Sequence, residues 1–254
     1  MTKAHNSKHP IISSILIALI PVVLLSIANA IVQIQGLGDV PSIIVQAVAC
    51  AVSVLLGLLI VRATGLSLRE VGFRRAEPGR GKLVLYYIPV IVAVLLNFGG
   101  GSSTSNVTRI VVLLVFTIIV GINEELYFRG ILVRRMRKIG AHKAIVIASV
   151  IFGVYHLANA IGGYKQPVYV LLQIVVAFVM GLVFAEIVVI TRSLWPVIVF
   201  HFAHDFISFL TGQDSSTNLG TAAIVLTVVQ LVIYAVCAVV FWKKAGVQQA
   251  SPAV

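Results

Sequence analysis

Acidic side chains are scarce in this sequence, with eight Asp and Glu against 19 Lys and Arg, and all four types together make up only 11% of the 254 residues. A soluble globular chain carries about 25% charged residues and needs them to cover its surface. A soluble domain of this size is therefore excluded. Hydrophobic residues reach 59%, and the same figures exclude disorder, collagen and coiled coil. Cysteine is nearly absent too. Cys50 and Cys237 each lie within an apolar run, match no metal-ligand spacing and give no disulfide framework.

What is present is apolar sequence in long runs, with a mean hydropathy of +1.07. The runs cover residues 11–32, 43–61, 83–98, 110–133, 144–161, 168–190, 194–210 and 221–242. A spanning helix needs about 20 apolar residues, so these predict an all-α, polytopic membrane bundle of about eight transmembrane helices. The third run is short and is interrupted by Pro89. The first is longer than the apolar core of a secretory signal and long enough to cross a bilayer, so it is expected to remain as a span. No internal repeat or soluble extension is visible. The expectation is one domain over 1–254 whose backbone hydrogen bonds close within each helix.

The formal charge of +11 would suggest nucleic acid in a soluble protein. Here the basic residues sit in short links between apolar runs, where they face lipid headgroups, and no nucleic-acid partner is expected. An even number of spans puts both termini on one side. With that side cytoplasmic, the inner segments hold Lys3 and Lys8, the basic residues from Arg62 to Lys82 and from Arg134 to Lys143, Arg192, Lys243 and Lys244. The outer segments hold only Arg109 and Lys165. The positive-inside rule thus predicts cytoplasmic termini.

Ionisable residues inside apolar runs are costly in lipid and mark function by default. They are Glu124, Glu125 and Arg129 in the fourth run, His156 in the fifth, Glu186 in the sixth, and His201, His204 and Asp205 in the seventh. At about 1.5 Å of rise per residue, Glu124, His156, His201 and Asp205 lie roughly 10–18 Å from the basic ends of their runs. Residues of three helices thus share one layer, nearer the cytoplasmic face, and a polar cavity inside the bundle accounts for it. Glu125 and Arg129 are an i,i+4 pair suited to an ion pair, and Glu124 is turned about 100° away from Glu125. His201 and Asp205 are also i,i+4, with His204 close to their face. Two histidines and a carboxylate can bind a metal or can position water and a carbonyl, and spacing does not separate these. Glu186 has only Arg192 nearby, at a poor helical spacing, and reads as structural or cavity-lining. Asn159 reads as a helix-terminal capping group without chemistry.

Three motifs in order carry a resemblance. Glu124-Glu125-Leu126-Tyr127-Phe128-Arg129 resembles an EExxxR signature, and Phe152 to His156 is similar to an FxxxH element. The stretch Ser193-Leu194-Trp195-Pro196 leading to His201 and Asp205 is similar to an HxxxN or HxxxD element preceded by tryptophan. Together, over 105–210, they resemble the protease core of the CAAX-protease and bacteriocin-processing family, also called the Abi family. The resemblance implies intramembrane peptide-bond hydrolysis. Eukaryotic relatives remove three C-terminal residues from prenylated proteins through a cavity open to the cytosol, and bacterial ones are linked to bacteriocin maturation or self-immunity. It further implies that Glu124 is the base that activates water, that His156 helps hold that water, and that His201 and Asp205 stabilise the oxyanion. Glu125 and Arg129 are implied as supports. Asp205 departs from the commoner asparagine, and His204 is extra to the pattern.

Hydrolysis needs a positioned base, and donors where negative charge develops. A metal-free form is favoured, so no cofactor is expected. The alternative is zinc, with Glu124, His156 and His201 as ligands and His204 or water completing the shell. The expected partners are membrane lipids and a hydrophobic or lipid-anchored peptide or protein substrate. Two other function classes stand beside this one. A noncatalytic immunity-type membrane protein would tolerate loss of Glu124. An ion-coupled transporter would favour paired half-structures, which the sequence does not show.

Overall fold

The computed structural model describes residues 10–76, 84–100, 106–160, 167–212 and 221–247. Lys3, Lys8, Arg80, Lys82, Lys165 and the ends of the chain, on which part of the orientation argument rests, lie outside these residues.

Each apolar run forms a helix. The helices are α1 (Pro10–Ile34), α2 (Asp39–Ala63), a short α3 (Leu68–Val71), α4 (Val84–Leu95), α5 (Val107–Glu125), α6 (Arg134–Met136), α7 (Ala141–Tyr155), α8 (Pro167–Thr191), α9 (Trp195–Thr211) and α10 (Thr221–Val247). The result is an all-α membrane bundle. Among the described residues, six helical stretches are long and apolar enough to cross a membrane. The other two expected spans are shorter. The apolar stretch Tyr87–Gly99 contains Pro89, and α9 has 17 residues.

Local chemistry fixes several boundaries. Asn106 caps α5 by accepting from the Arg109 N–H through Oδ1 at 3.0 Å. Ser67 and Glu70 form a reciprocal capping box on α3. Those hydrogen bonds, first the one from the Ser67 backbone, hold the Glu70 carboxyl below its ordinary pKa, and Arg134 at 3.0 Å adds to the effect. Gly72 ends α3 with φ +110°, a conformation that a side chain would strain. Its carbonyl accepts from the Leu194 N–H at 2.8 Å, which ties this link to the start of α9.

α5 packs between α2 and α9, while α8 packs between α7 and α10. Close approach of α5 and α9 depends on Gly121, where a Cβ would stand 3.2 Å from the Ile198 carbonyl oxygen and 3.3 Å from the Phe202 nitrogen. That contact lies one helical turn from Glu124 and Glu125, so it sets their distance from His201.

The basic links meet at one end of the bundle. Arg135 donates to Ser13, Arg134 bonds the Glu70 carbonyl and carboxylate, and Ser193 donates to the Arg74 carbonyl. There His142 stacks on Trp242 at 4.1 Å. The opposite end holds Arg109, paired with Asp39 at 2.6 Å.

Candidate active site

After Glu125 the α5 helix widens into a π-helical stretch, Leu126–Val133, every residue of which is buried. Such widened turns are frequent at functional sites. Arg129 lies within it, 2% exposed. Its guanidinium sits 4.2 Å from the Phe152 ring centroid and 5.6 Å from that of Phe184. Nη1 donates to Glu125 Oε1 at 2.9 Å, so the expected i,i+4 ion pair is present.

The same Glu125 oxygen takes His201 Nδ1 at 2.7 Å. A carboxylate oxygen can only accept, so Nδ1 carries a proton. The other edge of the ring faces the remaining carboxylates. Nε2 stands 3.5 Å from Glu124 Oε2 and 3.6 Å from Asp205 Oδ2. The rotation between Glu124 and Glu125 thus places them on opposite edges of one imidazole. Glu125 is more than a neutraliser of Arg129, because it also fixes the orientation of His201. Phe152 and Phe184 pack on the same ring, each with its centroid 6.0 Å away.

Glu124, His156, His201, His204 and Asp205 line one cavity of about 350 Å³. His156 is half-buried, and its Nδ1 donates to the Phe152 carbonyl at 2.9 Å. That bond puts the proton on Nδ1 and makes Nε2 the acceptor of the neutral ring. Tyr155 shares the cavity, with its buried hydroxyl beside the Glu124 carboxylate.

His204 is held differently. Asn97 Nδ2 donates to its Nδ1 at 3.1 Å, and Gln230 Nε2 donates to Asn97 Oδ1 at 2.7 Å and to the Ala93 carbonyl at 2.8 Å. The extra histidine thus belongs to a network joining α4, α9 and α10. Asn159 donates to Gln173 Oε1 at 2.9 Å and lines the cavity, a part the capping expectation missed. Glu186 is fully buried on α8 and outside the cavity lining, and neither of its oxygens has a partner among the described residues.

A zinc ion needs donors about 2 Å from a common point. Among the described residues, no group of three or more His, Cys, Asp and Glu side chains is placed to hold one. His201, His156 and His204 use Nδ1 on Glu125, the Phe152 carbonyl and Asn97, so only their Nε2 atoms are open to a ligand role, and these do not gather with a carboxylate into such a group. The donors as placed do not fit a three-ligand zinc site.

Sequence reading did not find Asn97, Gln230, Gln173 or Tyr155. The available signal was the same as for the charged residues, because an amide in an apolar run is also costly unless it is bonded.

Residues 106–207 match the family described as type II CAAX prenyl endopeptidase Rce1-like. This part of the chain is therefore similar to the CAAX-protease family domain that its three motifs resemble, and the match spans α5 to most of α9. Among curated proteins, none matches the chain.

Proposed function

We propose that this protein is an intramembrane endopeptidase that hydrolyses a peptide bond in a hydrophobic or lipid-anchored peptide or membrane protein. The observation that carries the reading is the anchored His201, with Glu125 holding Nδ1 while Nε2 and Glu124 face one cavity. In this reading Glu124 accepts a proton from water as the oxygen attacks the carbonyl carbon. It then delivers that proton to the departing amine, so the C–N bond breaks with no net proton change at the enzyme. His156, accepting at Nε2, holds the attacking water. His201, protonated on both nitrogens between carboxylates, directs Nε2–H at the developing oxyanion. Asp205 holds that edge of the ring, and Arg129 offsets the charge of Glu125. His204, fixed by Asn97, shapes the wall beside Asp205. The reaction so described needs no metal.

The same proposal takes the chain as one transmembrane domain with its protease core at 105–210. It has eight spans, α4 and α9 included, and cytoplasmic termini in a bacterial plasma membrane. The test is to replace the genomic copy with Glu124→Gln and compare membrane peptides. A peptide that accumulates uncut in the variant and is cut by purified wild type supports the reading. An unchanged peptide profile, with cellular function intact, points instead to a noncatalytic partner.

A further inference from the structure

The cavity extends from the Glu124 layer in one direction only. On α5 its lining runs from Phe116 to Glu124, on α8 from Tyr169 to Met180, on α9 from His201 to Phe209 and on α10 from Ala223 to Gln230. α5 and α10 end at the basic links, whereas α9 begins beside one. In each case the lining occupies the part of the helix away from them. The same holds for Asn29 on α1, Gln46 on α2, Asn97 after α4 and Asn159 after α7. The basic links meet at the other end of the bundle, joined through Arg134, Arg135, Ser193 and the His142–Trp242 stack. The positive-inside rule assigns that basic end to the cytoplasm. The layer of ionisable groups was expected nearer the cytoplasm, and the cavity lies on the far side of that layer.

The lining beyond Glu124 and Asp205 is mostly neutral. It includes six amides, Asn29, Gln46, Asn97, Asn159, Gln173 and Gln230, among apolar side chains. An amide side chain both donates and accepts, with capacity for more than one bond. A peptide backbone offers one donor and one acceptor per residue. Asn29, Gln46, Asn159 and Gln173 are half-buried, whereas Glu124 and His201 are buried. The amides thus lie along the way in, and the reacting groups at its inner end. The volume lies within the range of about 300–1,000 Å³ usual for ligand pockets.

We infer that the cavity is a chamber for the extended backbone of an uncharged hydrophobic peptide, which reaches Glu124 from the extracytoplasmic side of the membrane. This rests on the peptidase reading for what happens to the peptide, but not for how it gains access.

The experiment places single cysteines in the full-length chain with Cys50→Ala and Cys237→Ala. Asn29→Cys and Ser208→Cys report the chamber, and Lys243→Cys reports the basic end. The probe is a sulfonated, membrane-impermeant maleimide. In intact spheroplasts the two chamber cysteines are expected to react at least about tenfold faster than Lys243→Cys. In inverted vesicles that order is expected to reverse. Chamber labelling only in inverted vesicles, or from neither side, overturns the inference. A second arm adds a capped Leu/Ala nonapeptide before the probe, in the wild-type and Glu124→Gln backgrounds. At least about fivefold protection of Ser208→Cys in both supports a backbone-binding chamber. No protection in either background removes that part. Protection and outside labelling without cleavage would leave the chamber standing and overturn the peptidase reading alone.

Discussion

Replacing Glu125 by leucine separates two roles that its Oε1 atom combines. That oxygen accepts from Arg129 at 2.9 Å and from His201 at 2.7 Å, and the residue is 0% exposed. Hydrogen bonds to charged groups contribute about 1.5–3 kcal/mol each. Removing one partner of a buried ion pair costs about 3–5 kcal/mol, because the remaining charge is left uncompensated. Arg129 is 2% exposed and cannot reach water without repacking Phe152 and Phe184. Glu125→Leu should therefore destabilise the protein by about 3–5 kcal/mol, measured by SDS titration of detergent-purified protein. Glu125→Leu/Arg129→Leu should regain most of that loss, giving a coupling of about 3 kcal/mol in a double-mutant cycle, since an apolar replacement of a buried pair is often neutral. Activity should not return with stability, because His201 Nδ1 still lacks its acceptor. Two results would refute the reasoning. One is a Glu125→Leu loss under about 1 kcal/mol. The other is a stable double variant with wild-type turnover, which would reduce Glu125 to a counter-charge for Arg129.

Further expectations follow from other contacts. Glu186 has no partner for either oxygen among the described residues, so Glu186→Leu should leave turnover unchanged and raise stability by about 1–3 kcal/mol in the same titration; a comparable loss of stability would contradict that account. Gly121→Val should push α9 from α5 and lower turnover at least tenfold, read on purified protein, because even a Cβ there would stand 3.2 Å from the Ile198 carbonyl oxygen. Asp205→Asn should keep most activity and Asp205→Ala should lose about a hundredfold, the scale of one oxyanion donor or its support; full activity in the alanine variant would remove Asp205 from the site. The Glu70 carboxyl is held low by Ser67, so the stability it adds is present above its ordinary pKa of 4.5 and fades as pH falls through the lower folded value. Ser67→Ala, which keeps the backbone donor and removes the hydroxyl, should shrink that acid limb without abolishing it in a pH series of SDS titrations. Elemental analysis of active enzyme should find less than about 0.2 equivalents of zinc, and stoichiometric zinc lost and restored together with activity would make Glu124, His156 and His201 ligands.

Much of this was legible from hydropathy and depth. Apolar runs located every long helix, though not α3 or α6, and similar distances from the basic links brought residues of α5, α9 and the turn after α7 into one cavity. Those signals depend on local spacing, which the chain states directly. What was not legible depends on rotation and on neighbours. Spacing put Glu124 and Glu125 about 100° apart but could not show that α9 would insert an imidazole between them. Spacing paired His201 with Asp205, one turn away, and Asp205 Oδ2 stands 3.6 Å from Nε2, but Glu125, 76 residues away, holds Nδ1. His204 stood out as an extra candidate ligand, yet its partners Asn97 and Gln230 come from distant runs and are uncharged. The side on which the cavity lies follows from how the helices pack, and no local pattern encodes that.

The central claim is that Glu124 activates water. Its most direct measurement is turnover of a cleaved membrane peptide by purified wild type and Glu124→Gln in the same detergent, with folding matched by SDS titration. The glutamine keeps the side-chain shape and removes the proton acceptor. The account predicts a loss of at least about a hundredfold in the variant with stability preserved. Near wild-type turnover in Glu124→Gln would contradict it.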